Sequence, residues 1–186
     1  MSYFELTVGR LPEDWADRCT AALARIGIPD SSAWRACAPK IAAFNLFNLA
    51  AIVSFLDYVT KLEGFESSSK ALDRTRFRNL PWWQFSIWLP FPFQLPPEPV
   101  MQDSGWPVFL GSSHGLLTEL AEIQKLSDLG LGAIPPGYEH MLTDDDVFWQ
   151  TDFRECSHTT FIQWIWRGLH DAAEVSISKA APIEGM

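Results

Sequence analysis

The chain has 186 residues, enough for one domain with a substantial core. Its 23 Asp and Glu against 14 Lys and Arg leave a formal charge of −9, which disfavours a phosphate backbone as partner and argues against a nucleic-acid binder. With 47% hydrophobic residues, 13 Phe and 9 Trp, it carries the apolar side chains that a disordered chain lacks.

Cys19, Cys37 and Cys156 are odd in number and form no C-x-x-C pair, so the expectation is a reducing, cytoplasmic compartment without a disulfide framework. Met1 to Glu5 show no basic stretch followed by an apolar run, and no signal peptide is expected. The apolar stretch 41–59 is interrupted by Asn45, Asn48, Ser54 and Asp57, each costly in hydrocarbon, and reads as a buried helix rather than a membrane span.

In chain order, residues 12–26 predict a first helix: Pro12 suits its start, Glu13 and Asp14 favour the positive end, and Trp15, Cys19, Leu23 and Ile26 share a face. Gly27 and Pro29 end it, and Asp30, Ser31 or Ser32 caps a short second helix with Trp34, broken near Pro39. Ile41, Phe44, Asn48 (the polar exception), Ile52, Phe55, Val59 and Leu62 recur at helical steps, and Leu46, Leu49, Val53 and Leu56 add a second stripe. The spacing predicts one long central helix over 40–62, closed by Gly64. The aromatic run 82–89 and the prolines at 90, 92, 96, 97 and 99 predict an extended loop over the helices rather than a central strand. Val108-Phe109-Leu110 is a short strand candidate, followed by a helix from Ser113 to Leu126 with Leu117, Leu120, Ile123 and Leu126 inward. A short helix is expected at Tyr138–Leu142, and Thr143 reads as the cap of another, with Asp144, Asp145 and Asp146 in its first turn. A last long helix covers 159–175. The sum is a mostly α-helical single domain over 1–176, with six or seven helices around the 40–62 helix, at most a small β component, and a polar tail at 177–186.

Gly111-Ser112-Ser113-His114-Gly115 fits G-x-S-x-G between an apolar strand candidate and a helix, the context that holds a serine nucleophile in α/β-hydrolases. Under that reading Ser113 attacks, His140, His158 or His170 is the base, and Asp152 or Asp171 orients it. Glycine and serine before an apolar run also mark an ordinary helix start, and the alternating parallel strands of a hydrolase are missing. Capping is the stronger reading. Metal ligation has only Cys156-Ser157-His158 and the distant His170-Asp171, too few ligands for zinc, and neither a Walker pattern nor G-x-G-x-x-G occurs. No metal or cofactor is expected.

Lys70, Arg74, Arg76 and Arg78 form the dense basic cluster, read as a solvated face or an internal partner for the acidic excess, contact with phosphate being the alternative. The band Phe77–Phe93, with Trp82, Trp83, Phe85, Trp88 and Phe91, is core with a fraction at the surface, a stacking platform being the alternative. Glu139, Asp144, Asp145, Asp146, Asp152 and Glu155 fall within seventeen residues, opposed by Arg154 and His140. One or two aspartates suffice for a helix start, so the surplus points to a basic partner.

The segments Trp106-Pro107-Val108-Phe109-Leu110-Gly111-Ser112-Ser113-His114-Gly115-Leu116-Leu117 and Ile162-Gln163-Trp164-Ile165-Trp166-Arg167-Gly168-Leu169-His170-Asp171-Ala172-Ala173 carry a resemblance to bacterial immunity proteins, which neutralise a cognate toxin. The resemblance implies occlusion of a basic toxin face by a rim of Asp144, Asp145, Asp146, Asp152 and Glu155, with Trp149 or Trp83 as anchor. A serine hydrolase, and an adaptor or chaperone for a helical or proline-rich client, are the alternative functions.

Overall fold

Phe4, Leu6 and Val8 alternate with Glu5 and Thr7, the period of a strand with one face buried, and Tyr3–Val8 forms β1. The structure, a computed structural model, describes residues 3–29, 32–66, 74–82, 85–94, 101–103, 106–135 and 157–185. Helix α1 is Glu13–Arg25, and a 3₁₀ turn spans Ser32–Ala36. Strand β2 is Ala42–Asn48 and runs directly into α2, Leu49–Leu62. Strands β3 (Phe85–Leu89), β4 (Met101–Asp103) and β5 (Trp106–Ser112) come next, then α3 (Ser113–Leu126), α4 (His158–Lys179) and β6 (Ile183–Gly185).

The six strands form one mixed sheet in the order β2-β1-β6-β3-β5-β4. Strands β3 and β5 are parallel, with Ile87 opposite Leu110, and every other pair is antiparallel. The fold is therefore α/β, with four α-helices among the described residues, and not the mostly α-helical bundle that the helical spacing predicts. Three segments carry the correction. The expected helix 40–62 is a strand for its first part, because the buried Phe44 and Leu46 also stand two apart and the segment pairs with β1, Leu6 lying opposite Phe44. The aromatic run contains β3, an interior strand between β6 and β5, since its prolines begin only at Pro90. The expected polar tail supplies β6, between β1 and β3, with Ala181 and Ile183 fully buried.

Helix α1 covers one face of the sheet: Cys19, Ala22 and Leu23 pack with Ile87 and Leu89 of β3 and with Val108 and Leu110 of β5. Arg35 fixes the 3₁₀ turn to it, donating to Asp17 Oδ1 at 2.8 Å and to the Ala16 carbonyl at 2.9 Å. Helices α2, α3 and α4 cover the other face, where Phe55, Leu120 and Ile165 meet Leu6, Leu46 and Trp88. Strands β3 and β5 are thus covered on both sides, which explains their continuous apolar character. Gly168 lets α4 lie close on β2, because a Cβ there would stand 2.3 Å from Leu46 Cδ2. The deepest tryptophans keep their polar atom bonded, Trp166 donating to the Leu120 carbonyl at 3.0 Å and Trp88 to the Asn79 carbonyl at 2.6 Å. No described helix is long and apolar enough to cross a membrane.

Candidate functional site

The G-S-S-H-G run sits where β5 turns into α3, the strand-to-helix context its pattern calls for. What its side chains do there is structural. A Cβ on Gly111 would stand 2.6 Å from Trp88 Cδ1, and one on Gly115 would stand 2.4 Å from Asn79 Nδ2, so both glycines are required by close packing. Ser112 is the helix N-cap: its Oγ accepts from the Gly115 N–H at 3.2 Å and donates to the Phe91 carbonyl at 2.8 Å. Ser113 is fully buried, its hydroxyl 2.7 Å from that of Ser176, which donates to the Ala181 carbonyl at 2.6 Å. A nucleophile would be held at an exposed, strained turn, whereas Ala180 is the one non-glycine residue with positive φ among the described residues.

Of the partners that such a serine would need, His170 and Asp171 are engaged elsewhere. His170 stacks on Trp166 with centroids 5.0 Å apart and lies 3.3 Å from Asp171, whose carboxylate receives the Arg167 Nε–H at 2.9 Å. His158 is exposed at the start of α4. His140 and Asp152 lie outside the described residues. Ligand atoms of His170, Asp171 and Glu174 fall within 4.8 Å of one another, but the Arg167 guanidinium already neutralises the central carboxylate.

A second feature surrounds the same junction. Asn79 ties three elements together: its amide nitrogen donates to Glu119 Oε1 at 2.8 Å, its Oδ1 accepts the Ser112 N–H at 2.9 Å, and its carbonyl takes the Trp88 indole. Glu119 also accepts the backbone N–H of Arg78 and of Asn79, both at 2.7 Å. Burial pushes its carboxyl up to about 7, an effect that the Asn79 and Arg78 donors oppose and nearby Glu122 adds to. Glu63, on the turn after α2, holds the same segment from its other end, accepting the Thr75 hydroxyl and the Arg76 N–H at 3.1 Å. The Arg76 guanidinium reaches Glu63 at 3.6 Å and Glu122 at 3.1 Å, so this part of the basic cluster is an internal partner of acidic groups.

Together these segments enclose an open cleft of about 680 Å³ at the carboxyl ends of β3 and β5. Its lining comes from three segments: Arg76, Arg78 and Asn79 before β3, Pro92, Phe93 and Gln94 after it, and Ser112, His114, Gly115, Thr118 and Glu119 from the end of β5 and from α3. Asn79 and Glu119 are absent from the residues singled out by sequence. The available signal was Glu119 itself, a carboxylate beside the buried Leu116, Leu120 and Ile123. All seven residues of the expected partner surface, Asp144, Asp145, Asp146, Trp149, Asp152, Glu155 and Trp83, lie outside the described residues. So do the expected helices at 138–142 and after Thr143.

Comparison with protein-family models, with curated proteins and with solved structures finds no match to this chain.

Proposed function

We propose that the protein is a non-catalytic, cytoplasmic binding protein of the immunity kind, which occludes a basic protein partner through the acidic stretch 139–155. The observation that carries this reading is the distribution of charge. The described residues hold 14 acidic and 12 basic side chains, near balance, and among them Arg35 and Arg167 are paired with carboxylates of the same chain. Stretch 139–155 has six acidic residues against Arg154 alone and so holds most of the excess. Concentrated like charge steers a basic face toward it and raises the association rate. The sealed Ser113 weighs against the hydrolase alternative, since a hydroxyl bonded to Ser176 inside the core has no access to an ester or amide.

The test is association with the protein product of the adjacent gene, the partner that an immunity role requires. Replacing Asp144, Asp145 and Asp146 by Asn should slow association about tenfold at low salt and flatten its salt dependence, with dissociation little changed. Absence of a complex, or an association rate that ignores the three substitutions, would sink the reading. Labelling of Ser113 by a fluorophosphonate probe would do so too, in favour of the hydrolase.

A further inference from the structure

We propose that the cleft beyond β3 and β5 binds a small phosphate-bearing molecule, gripped by Arg76, Arg78 and His114 with its organic body against Phe93. This site is separate from the acidic stretch and independent of the binding role above.

Four observations converge on it. The cleft lies at the carboxyl ends of the one parallel strand pair in the sheet, the edge at which open α/β sheets take their ligands. Its volume of about 680 Å³ falls within the range typical of small-molecule sites. Its lining draws nitrogen-bearing side chains from two separate segments, Arg76 and Arg78 before β3 and His114 on α3. A planar carboxylate is satisfied by one guanidinium fork, whereas the tetrahedral oxygens of a phosphate suit donors spread in this way. The lining carboxylate, Glu119, does not oppose an anion at full strength. Both its oxygens are bonded to the N–H groups of Arg78 and Asn79, which fixes the arginine-bearing segment.

The local electrostatics agree. His114 stands in the first turn of α3, which, like those of α2 and α4, contains no acidic residue. Arg76 keeps donors to spare, because a guanidinium has five N–H groups and its side chain is 53% exposed beside Glu63 and Glu122. Phe93 packs on Phe91 with centroids 5.5 Å apart, giving a firm apolar wall beside the cations.

Calorimetric titration of the full chain with phenyl phosphate tests the proposal, with benzoate and inorganic phosphate as comparisons. Saturable one-to-one binding by phenyl phosphate is expected, at least about tenfold tighter than benzoate, and weakened about tenfold or more in Arg78→Gln. Thr118→Glu, at an exposed position in the lining, brings a second charge into the cleft without touching the Asn79 bonds and should abolish binding. The Asp144, Asp145, Asp146 to Asn variant should bind phenyl phosphate like the parent, so failure of either proposal is separable from the other. No saturable binding up to about 10 mM, or equal binding by the Thr118→Glu protein, would overturn the site. Sedimentation with phosphatidylcholine vesicles containing phosphatidic acid, without binding of phenyl phosphate, would overturn the small-molecule occupant in favour of a lipid surface.

Discussion

Glu119 gathers three N–H donors on two oxygens while most of its surface is shielded from water, so two physical effects oppose each other at one side chain. Desolvation disfavours the carboxylate and the donors favour it; desolvation wins, and the group is pushed up to about 7. In an unfolded chain the same carboxyl titrates near its ordinary 4.5. Between these values the folded protein keeps a proton that the unfolded chain has released, so this residue's contribution to stability falls as pH rises through that window. The contribution is fully present below about 4.5 and flat above about 7. Glu119→Gln removes the titration. The stability of the parent relative to this variant should therefore shrink by about 3 kcal/mol between pH 4.5 and pH 7.5, read by urea unfolding at both. A difference that stays constant across the window would show that Glu119 titrates in the folded protein as it does in the unfolded chain.

At the scale of elements, the legible parts were those with one unambiguous period. Helix α1 follows its apolar stripe, while α3 keeps its expected bounds and buries Leu120 and Ile123 but turns Leu116 inward and leaves the expected Leu126 exposed; the cap at Ser112 follows from serine before such a stripe. The failures lie where two periods coexist or none is visible. Ile41 and Phe44 stand at a helical step, while Phe44 and Leu46 stand at a strand step; cross-strand pairing with β1, a long-range effect, decides between them. Strands β4 and β6 have three residues each, too few to show any period. Strand β1 alternates cleanly at Phe4, Leu6 and Val8, a signal that a reading directed at helices passes over. Of the candidate site, the glycines and serines were visible as a motif but their purpose was not, since Trp88 and Asn79 approach them only in the folded chain. The end of α4 was likewise unreadable. It closes at Ala180, in the left-handed region with φ of 49°, and the Ala181 N–H returns to the Ser176 carbonyl at 3.0 Å. Alanine carries a Cβ penalty there that glycine does not. Ala180→Gly should leave the fold intact and raise stability by about 0.5–1 kcal/mol, measured as a higher denaturant midpoint at unchanged slope. A lower midpoint would mean that the added freedom of the unfolded chain outweighs the relieved strain.

For the whole molecule, the decisive piece is the shortest one. Strand β6 is the only member of the sheet that touches both β1 and β3, so it joins the β2-β1 pair to the β3-β5-β4 group. Its Val8–Ile183 and Trp88–Ile183 pairings place one fully buried isoleucine at the middle of the sheet. Gly185 lies where Phe4, Leu6 and Trp88 converge, and a Cβ there would meet all three at 3.1–3.2 Å. The chain reaches this position only after α4 has crossed β1 and β2, and the Ser113–Ser176–Ala181 bonds fasten the link between helix and strand. Removing residues 182–186 therefore separates two halves of a sheet rather than trimming a tail. The truncated chain should lose cooperative thermal unfolding, while Ile183→Ala, which keeps the backbone pairing, should unfold cooperatively with stability lower by about 2–5 kcal/mol. A truncated protein that melts within a few degrees of the parent would refute the central placement of β6. A fall of less than about 1 kcal/mol for Ile183→Ala would count against it in the same way, because a fully buried isoleucine between two pairing strands has no solvent to relax into.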